Sequence, residues 1–258
     1  MDNDKRTIRK LFDSYTAPVK THFPRPVHLV ADATYFGERL EGTSWCVAVL
    51  RDPRAKENLA WEFAQTETTS LYLNLKEKLL AEGYIIRSVT ADGFSGIPAA
   101  FLGIPYQMCH VHMERLVTRG TTQNPQTEAG AVLLALVKTL HVTDSRTFNH
   151  RLDAYITKYL DFLNEKTTNP FTGEQYWTHK ELRSALMSLI RYRTYLFTFE
   201  TNKKIPRTTN SLEGHFSHIN EIIAIHRGLS RPQKQKVLNT ILLASTVAPT
   251  CGKLLHIL

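Results

Sequence analysis

Three acidic residues stand in settings suited to chemistry: Asp32 in His28-Leu29-Val30-Ala31-Asp32-Ala33, Asp92 in Val89-Thr90-Ala91-Asp92-Gly93, and Glu213 in Thr209-Asn210-Ser211-Leu212-Glu213-Gly214. The first two lie within or at the end of strand-like apolar runs, and the third opens a helical pattern. Carboxylates far apart in sequence but carried on core elements are what a fold uses to assemble a hard-cation site for Mg²⁺ or Mn²⁺. Phosphoryl transfer is the reaction class that most often needs such a site. Each residue also has a structural reading. Asp32 suits a strand-end turn, Asp92 suits a turn or helix N-cap, and Asn210 and Glu213, three apart at a helix start, fit a capping box. Against these, an acid inside an apolar strand is costly unless paired or metal-bound. Glu213 is also about 100° round from Leu212 on a helical wheel, at the seam between core and solvent.

The elements that must carry these residues follow from periodicity. A charged helical lead-in (residues 5–15) and the prolines Pro24 and Pro26 precede three strand signals at 27–35, 44–51 and 59–66. Gly37, Gly42 and Asp52-Pro53 punctuate them, and the short spacing predicts an antiparallel meander. Leu71, Leu75, Leu79 and Leu80 predict a helix over 69–82, ended by Gly83. A buried strand at 85–90, a short helix at 94–102 and a strand at 105–111 complete a β-β-β-α-β-α-β order. From 114 to 199 the pattern turns helical, with apolar stripes at 129–140, 147–163 and 179–195, and two further helices are expected at 211–225 and 231–245. The organisation is therefore a lead-in (1–26), the first part of an α/β core (27–113), an all-α insertion (114–205) and the C-terminal helices of the core (206–258).

With 258 residues, 42% of them hydrophobic, the chain can bury a sizeable core. The net charge of +8 is unevenly spread: between Asn202 and Lys236 stand seven basic residues and two acidic ones, an excess of +5. A polyanion is the natural partner of such a surface, although a solvated basic face has the same composition. Three scattered cysteines, Cys46, Cys109 and Cys251, argue against a disulfide framework and for a reducing compartment. The start of the chain has no secretory signal, and no apolar run reaches the roughly 20 residues needed to span a bilayer. A cytoplasmic protein is expected.

In this order of elements, Asp32, Asp92 and Glu213 together resemble the catalytic domain of DDE transposases with an RNase H-like fold, specifically the Mutator-type class of bacterial insertion sequences. The resemblance runs from about Val27 to Ser245. It implies an RNase H-like mixed five-stranded sheet flanked by helices, with an all-α insertion before the final catalytic helix. Asp32, Asp92 and Glu213 would be the catalytic, metal-binding triad for two Mg²⁺ or Mn²⁺ ions. Cys109-His110-Val111-His112 is similar to the family's C-x-x-H motif, which maps onto Cys109 and His112. A Cys and a His three apart are half a zinc site at most, and no second pair with matching spacing appears, so a structural or DNA-positioning role is expected instead. Thr208 to Gly214 followed by His226-Arg227-Gly228-Leu229-Ser230 resembles the family's Glu-bearing helix and the basic turn beyond it. Trp177 corresponds to an aromatic that some relatives hold near flanking DNA, and its structural alternative is a buried core Trp.

The resemblance implies cleavage and strand transfer on transposon ends and target DNA, by a homo-oligomer assembled on DNA in the bacterial nucleoid. Lys203, Lys204, Arg207, Arg227 and Arg231 would hold phosphates with little sequence readout. Members of the class carry an additional N-terminal DNA-binding region, whereas 26 residues precede the first core strand here, so a truncated, decayed or split reading frame is expected. Two alternatives remain at this level: another RNase H-like nuclease acting on branched or hybrid nucleic acid, and a catalytically idle DNA-binding protein derived from a transposase.

Overall fold

The computed structural model of the chain describes residues 14–16, 18–38, 40, 42–225 and 228–244. Most of the helix expected at 5–15 lies outside the described residues, as do Arg227 and Cys251.

Strands β1 (Pro26–Phe36), β2 (Trp45–Asp52) and β3 (Glu57–Ala64) form the expected antiparallel meander, with Asp32 opposite Val49. Strand β4 (Ile85–Ala91) pairs in parallel with the short β5 (Tyr106–Met108). The five strands lie in the order β3-β2-β1-β4-β5, so β1 is central and the protein is of mixed α/β class with a five-stranded mixed sheet. Every residue of β2 is buried, which explains why Val47-Ala48-Val49-Leu50 reads as a continuous apolar run instead of an alternation. At the β1–β2 turn Gly37 has φ +79°, and a Cβ there would stand 2.5 Å from the Thr43 carbonyl oxygen, so only glycine suits the position.

By compactness the chain divides into two units, residues 1–87, 96–102 and 210–258, and residues 88–95 and 103–209. In the first, helix α1 (Thr69–Ala81) starts at Thr68, whose Oγ1 accepts the Leu71 amide, and packs against β2 and β3. It buries Leu71, Tyr72, Leu75 and Leu79, while Leu80, expected inside, stays 42% exposed. The short α2 (Gly96–Ala100) packs beside it. Helix α7 (Asn210–Ile225) buries Leu212, Phe216, Ile219 and Ile223 in one cluster with Val30 and Phe36 of β1, Trp45, Val47 and Val49 of β2, and Leu238 and Leu242 of α8 (Arg231–Ala244). At roughly 1.5–3 kcal/mol per buried side chain, the four α7 residues contribute on the order of 6–12 kcal/mol against the ordering entropy of the helix.

The second unit holds α3 (His110–Thr121), α4 (Glu128–Lys138), α5 (Ser145–Leu163) and α6 (Lys180–Tyr192). The strand expected over 105–111 ends at Met108, because the chain turns at the extended Cys109 and His110-Val111-His112 already belong to α3. Helices α4 and α5 are capped by Thr127 and Asp144, whose side chains accept from Gly130 and Thr147 amides. Helices α3 and α6 meet at Gly120, where an added Cβ would lie 2.6 Å from the Glu181 carbonyl oxygen. The expectation of helix alone between 114 and 205 needs one correction. Strands β6 (Lys166–Thr168) and β7 (Gln175–Trp177) form an antiparallel hairpin. Asn169 Oδ1 closes its turn by accepting from Phe171 and Thr172 amides, and Gly173 supplies a φ of +74°.

Candidate functional site

Asp32 is half-buried on the central strand, and its Oδ1 accepts the Ala33 amide at 2.9 Å. On β1 it alternates with Val30, which packs in the cluster under α7, and with Thr34, whose Oγ1 receives Asn220 Nδ2 of α7 at 3.4 Å. Asp32 therefore stands on the α7-facing side of the sheet. Glu213 is half-buried in the first turn of the same helix, next to the fully buried Leu212. Asn210 lies within the helix as its first residue, so the capping-box reading of Asn210 and Glu213 loses its N-cap member; Thr209 immediately precedes the helix.

In the second unit Asp92 follows the last residue of β4 and is half-buried. Its Oδ1 accepts the Phe94 amide at 3.0 Å, the turn role read from the sequence as the structural alternative, and a carboxylate so engaged keeps acceptor capacity. Two tyrosines hold the backbone at this point: Tyr106 of β5 donates to the Asp92 carbonyl and Tyr192 of α6 to the Gly93 carbonyl. Neither contact is legible in sequence, because the partners are 14 and 99 residues away.

Cys109 and His112 come together around Thr209. The Thr209 amide donates to Cys109 Sγ at 3.4 Å, and the Thr209 hydroxyl lies 3.4 Å from Sγ and 3.3 Å from His112 Nδ1. Burial raises the Cys109 thiol, but the hydrogen bonds from His112 and Thr209 outweigh it and hold the thiol below its ordinary range. Pro206 and Arg207, three and two residues before Thr209, are also held: buried Thr90 of β4 donates to the Pro206 carbonyl at 2.6 Å, and the His110 amide donates to the Arg207 carbonyl at 3.0 Å.

The basic residues do not share one setting. In the second unit Lys203, Lys204 and Arg207 are exposed, but Arg207 stacks its guanidinium 4.7 Å over Phe199 and donates to the His141 carbonyl. In the first, exposed Arg231 lies 5.4 Å over Trp45 and donates to Gln65 Oε1 at 2.9 Å. Trp177 is half-buried on the hairpin, not in the core, with Arg183 at 4.2 Å and Lys166 at 4.9 Å from its ring. Sequence reasoning also missed a buried polar network in the first unit. Asn58 accepts from Arg51 Nη1 at 2.6 Å and donates to the Leu242 carbonyl at 3.1 Å, with its Nδ2 3.0 Å from His215 Nε2.

No protein-family model matches the chain, and no curated protein matches it. Among solved structures it is similar to a chain of the CryoEM structure of simian T-cell lymphotropic virus intasome in complex with PP2A regulatory subunit B56 gamma, with 14% identity, a TM-score of 0.27, and 69% of this chain and 62% of that chain covered. The match thus spans less than two thirds of that chain.

Proposed function

We propose that the chain is an RNase H-like catalytic domain of a Mutator-type DDE transposase, which cleaves DNA and transfers strands with Asp32, Asp92 and Glu213 as its metal-binding catalytic triad. The observation that carries this reading is which elements bear the three acids. Asp32 is on the α7-facing side of the central strand, Asp92 ends β4, which neighbours β1 in the sheet order, and Glu213 is in the first turn of α7. The donor set fits the implied group, since three half-buried carboxylates offer hard oxygen ligands suited to Mg²⁺ or Mn²⁺. Two such ions, when bound, would supply activation of the attacking oxygen and stabilisation of the leaving 3′ oxygen. Lys203, Lys204, Arg207, Arg227 and Arg231 would hold phosphates of transposon ends and target DNA, on a homo-oligomer acting at the bacterial nucleoid. Among the described residues no helix is long and apolar enough to cross a membrane.

The test is Asp32→Asn, assayed for binding and for Mg²⁺-dependent nicking of one DNA. Binding should survive while nicking is lost, because the substitution removes a ligand charge and leaves the basic residues unchanged. Wild-type protein without metal-dependent nicking on its native flanking DNA, but with DNA affinity, would replace this reading with that of a catalytically idle DNA-binding protein.

A further inference from the structure

A cavity of about 420 Å³ opens between α4 and α5, which pack on each other within the second unit. Small-molecule sites usually occupy about 300–1,000 Å³. The α5 side is a single stripe of Arg151, Ala154, Tyr155 and Lys158 at the i, i+3, i+4, i+7 spacing. Val132, Ala135 and Leu136 line the α4 side. Leu136 and Tyr155 are buried, whereas Ala135 and Ala154 are exposed. Packed helices interlock by setting the side chains of one into the gaps of the other. Two alanines are too short to fill this gap, and an apolar groove stays open.

The charges that line the groove give it a direction. Lys158 donates to Glu128 Oε1 at 2.8 Å, so the positive charge at that end is already matched. Two helical turns away Arg151 is exposed, and among the described residues it has no ion-pair partner. An occupant complementary to both features has an apolar body and a single negative charge at the Arg151 end. We propose that the α4–α5 groove is a binding site for an amphipathic organic anion of the long-chain carboxylate class, its chain lying on Ala135, Ala154 and Tyr155 and its carboxylate on Arg151. The proposal does not depend on the role given to Asp32, Asp92 and Glu213.

The experiment titrates the full chain with dodecanoate below its micellar concentration, by calorimetry and by amide chemical shifts, with octanoate and dodecyltrimethylammonium as comparison probes. Wild type should bind one dodecanoate saturably and more tightly than either comparison probe, with shifts confined to α4 and α5. Ala154→Phe and Ala135→Phe fill the groove at exposed positions, so they should keep the melting temperature and weaken dodecanoate about tenfold or more, the effect of displacing two methylenes from apolar contact. Arg151→Gln should weaken dodecanoate about threefold, as expected for an exposed ion pair, without weakening dodecyltrimethylammonium. Arg146→Gln, an exposed cation of α5 outside the groove, should leave dodecanoate affinity unchanged. Absence of saturable dodecanoate binding overturns the proposal, and so does equal affinity for dodecanoate and dodecyltrimethylammonium. Equal losses in Arg151→Gln and Arg146→Gln, or unchanged affinity in a folded groove-filled variant, also overturn it. If neither phenylalanine variant folds, the shift map decides: shifts confined to α4 and α5 support the site, and shifts centred elsewhere overturn it.

Discussion

Replacing Asn58 by alanine should be among the most damaging single changes in the first unit, although Asn58 touches no proposed catalytic group. Asn58 is fully buried, and its amide serves three elements besides its own: Arg51 of β2, His215 of α7 and the Leu242 carbonyl of α8. Arg51 is only 7% exposed and its Nε already has no hydrogen-bond partner, so Asn58 carries much of the satisfaction of a buried guanidinium. Leaving a buried charge without its partner costs about 3–5 kcal/mol, and a neutral buried group left unpaired costs about 1–3 kcal/mol. Relaxation and entry of water make these terms less than additive, so about 4 kcal/mol is expected for Asn58→Ala. In a protein of this size each kcal/mol shifts Tm by roughly 2–4 °C, which gives a drop of roughly 8–16 °C. The measurement is thermal unfolding followed by circular dichroism at neutral pH. Asn239→Ala serves as control, since it removes one hydrogen bond, from Trp61 Nε1 at 2.8 Å, and should cost only about 1 kcal/mol. The double variant Arg51→Met/Asn58→Leu should recover much of the loss, because it removes the buried charge together with its partner. Equal shifts for Asn58→Ala and Asn239→Ala would refute the reasoning and mean that Arg51 finds solvent or another partner at no cost.

Three further outcomes follow from the same structure. Burial, aided by Arg51 and His218, lowers the His215 pKa to about 4, and burial, aided by His141 and Arg207 against the Leu196 carbonyl bond, lowers His110 to about 4, both from 6.5. The unfolded chain therefore binds more protons between these values, so stability is complete above about pH 6.5 and falls as pH drops toward 4; melts across this range should show a shallower acid loss in His215→Gln, and an unaltered profile would exclude His215 as a contributor. Gly120→Ala gains about 1 kcal/mol of helix propensity but places a methyl 2.6 Å from the Glu181 carbonyl oxygen and 2.7 Å from Ala185 Cβ. Overpacking costs of about 1–3 kcal/mol win where the neighbour is backbone, so urea unfolding should show net destabilisation, and a stabilised variant would show that α3 and α6 separate freely. Finally, Lys203→Gln and Lys204→Gln should each flatten the slope of log DNA affinity against log salt by about 0.9 per lost phosphate contact, whereas Arg207→Gln should change it less because its guanidinium is already engaged by Phe199 and His141; equal effects at all three positions would show that Arg207 is free to leave those partners.

What the sequence determined by itself is what depends on local pattern. The order of strands and helices follows from runs such as Val47 to Leu50 and from the 212, 216, 219, 223 stripe of α7, because burial on one face or two imposes its period on the residues. The mixed α/β class follows from that order, and so does the position of Asp92 just after a strand. Tertiary structure decided what depends on contacts between distant residues. That Asp32 stands on the α7-facing side of β1 needs the partners of Val30 and Thr34, which lie some 180 residues on. Trp177 belongs to a hairpin between two cations, a setting hidden by three-residue strands too short to leave a periodic signal. The grouping of Cys109 and His112 with Thr209 spans 100 residues and 97 residues of chain, and no spacing rule encodes it, because it is the closing of the chain back onto the end of β5 that brings a cysteine, a histidine and a threonine to one point.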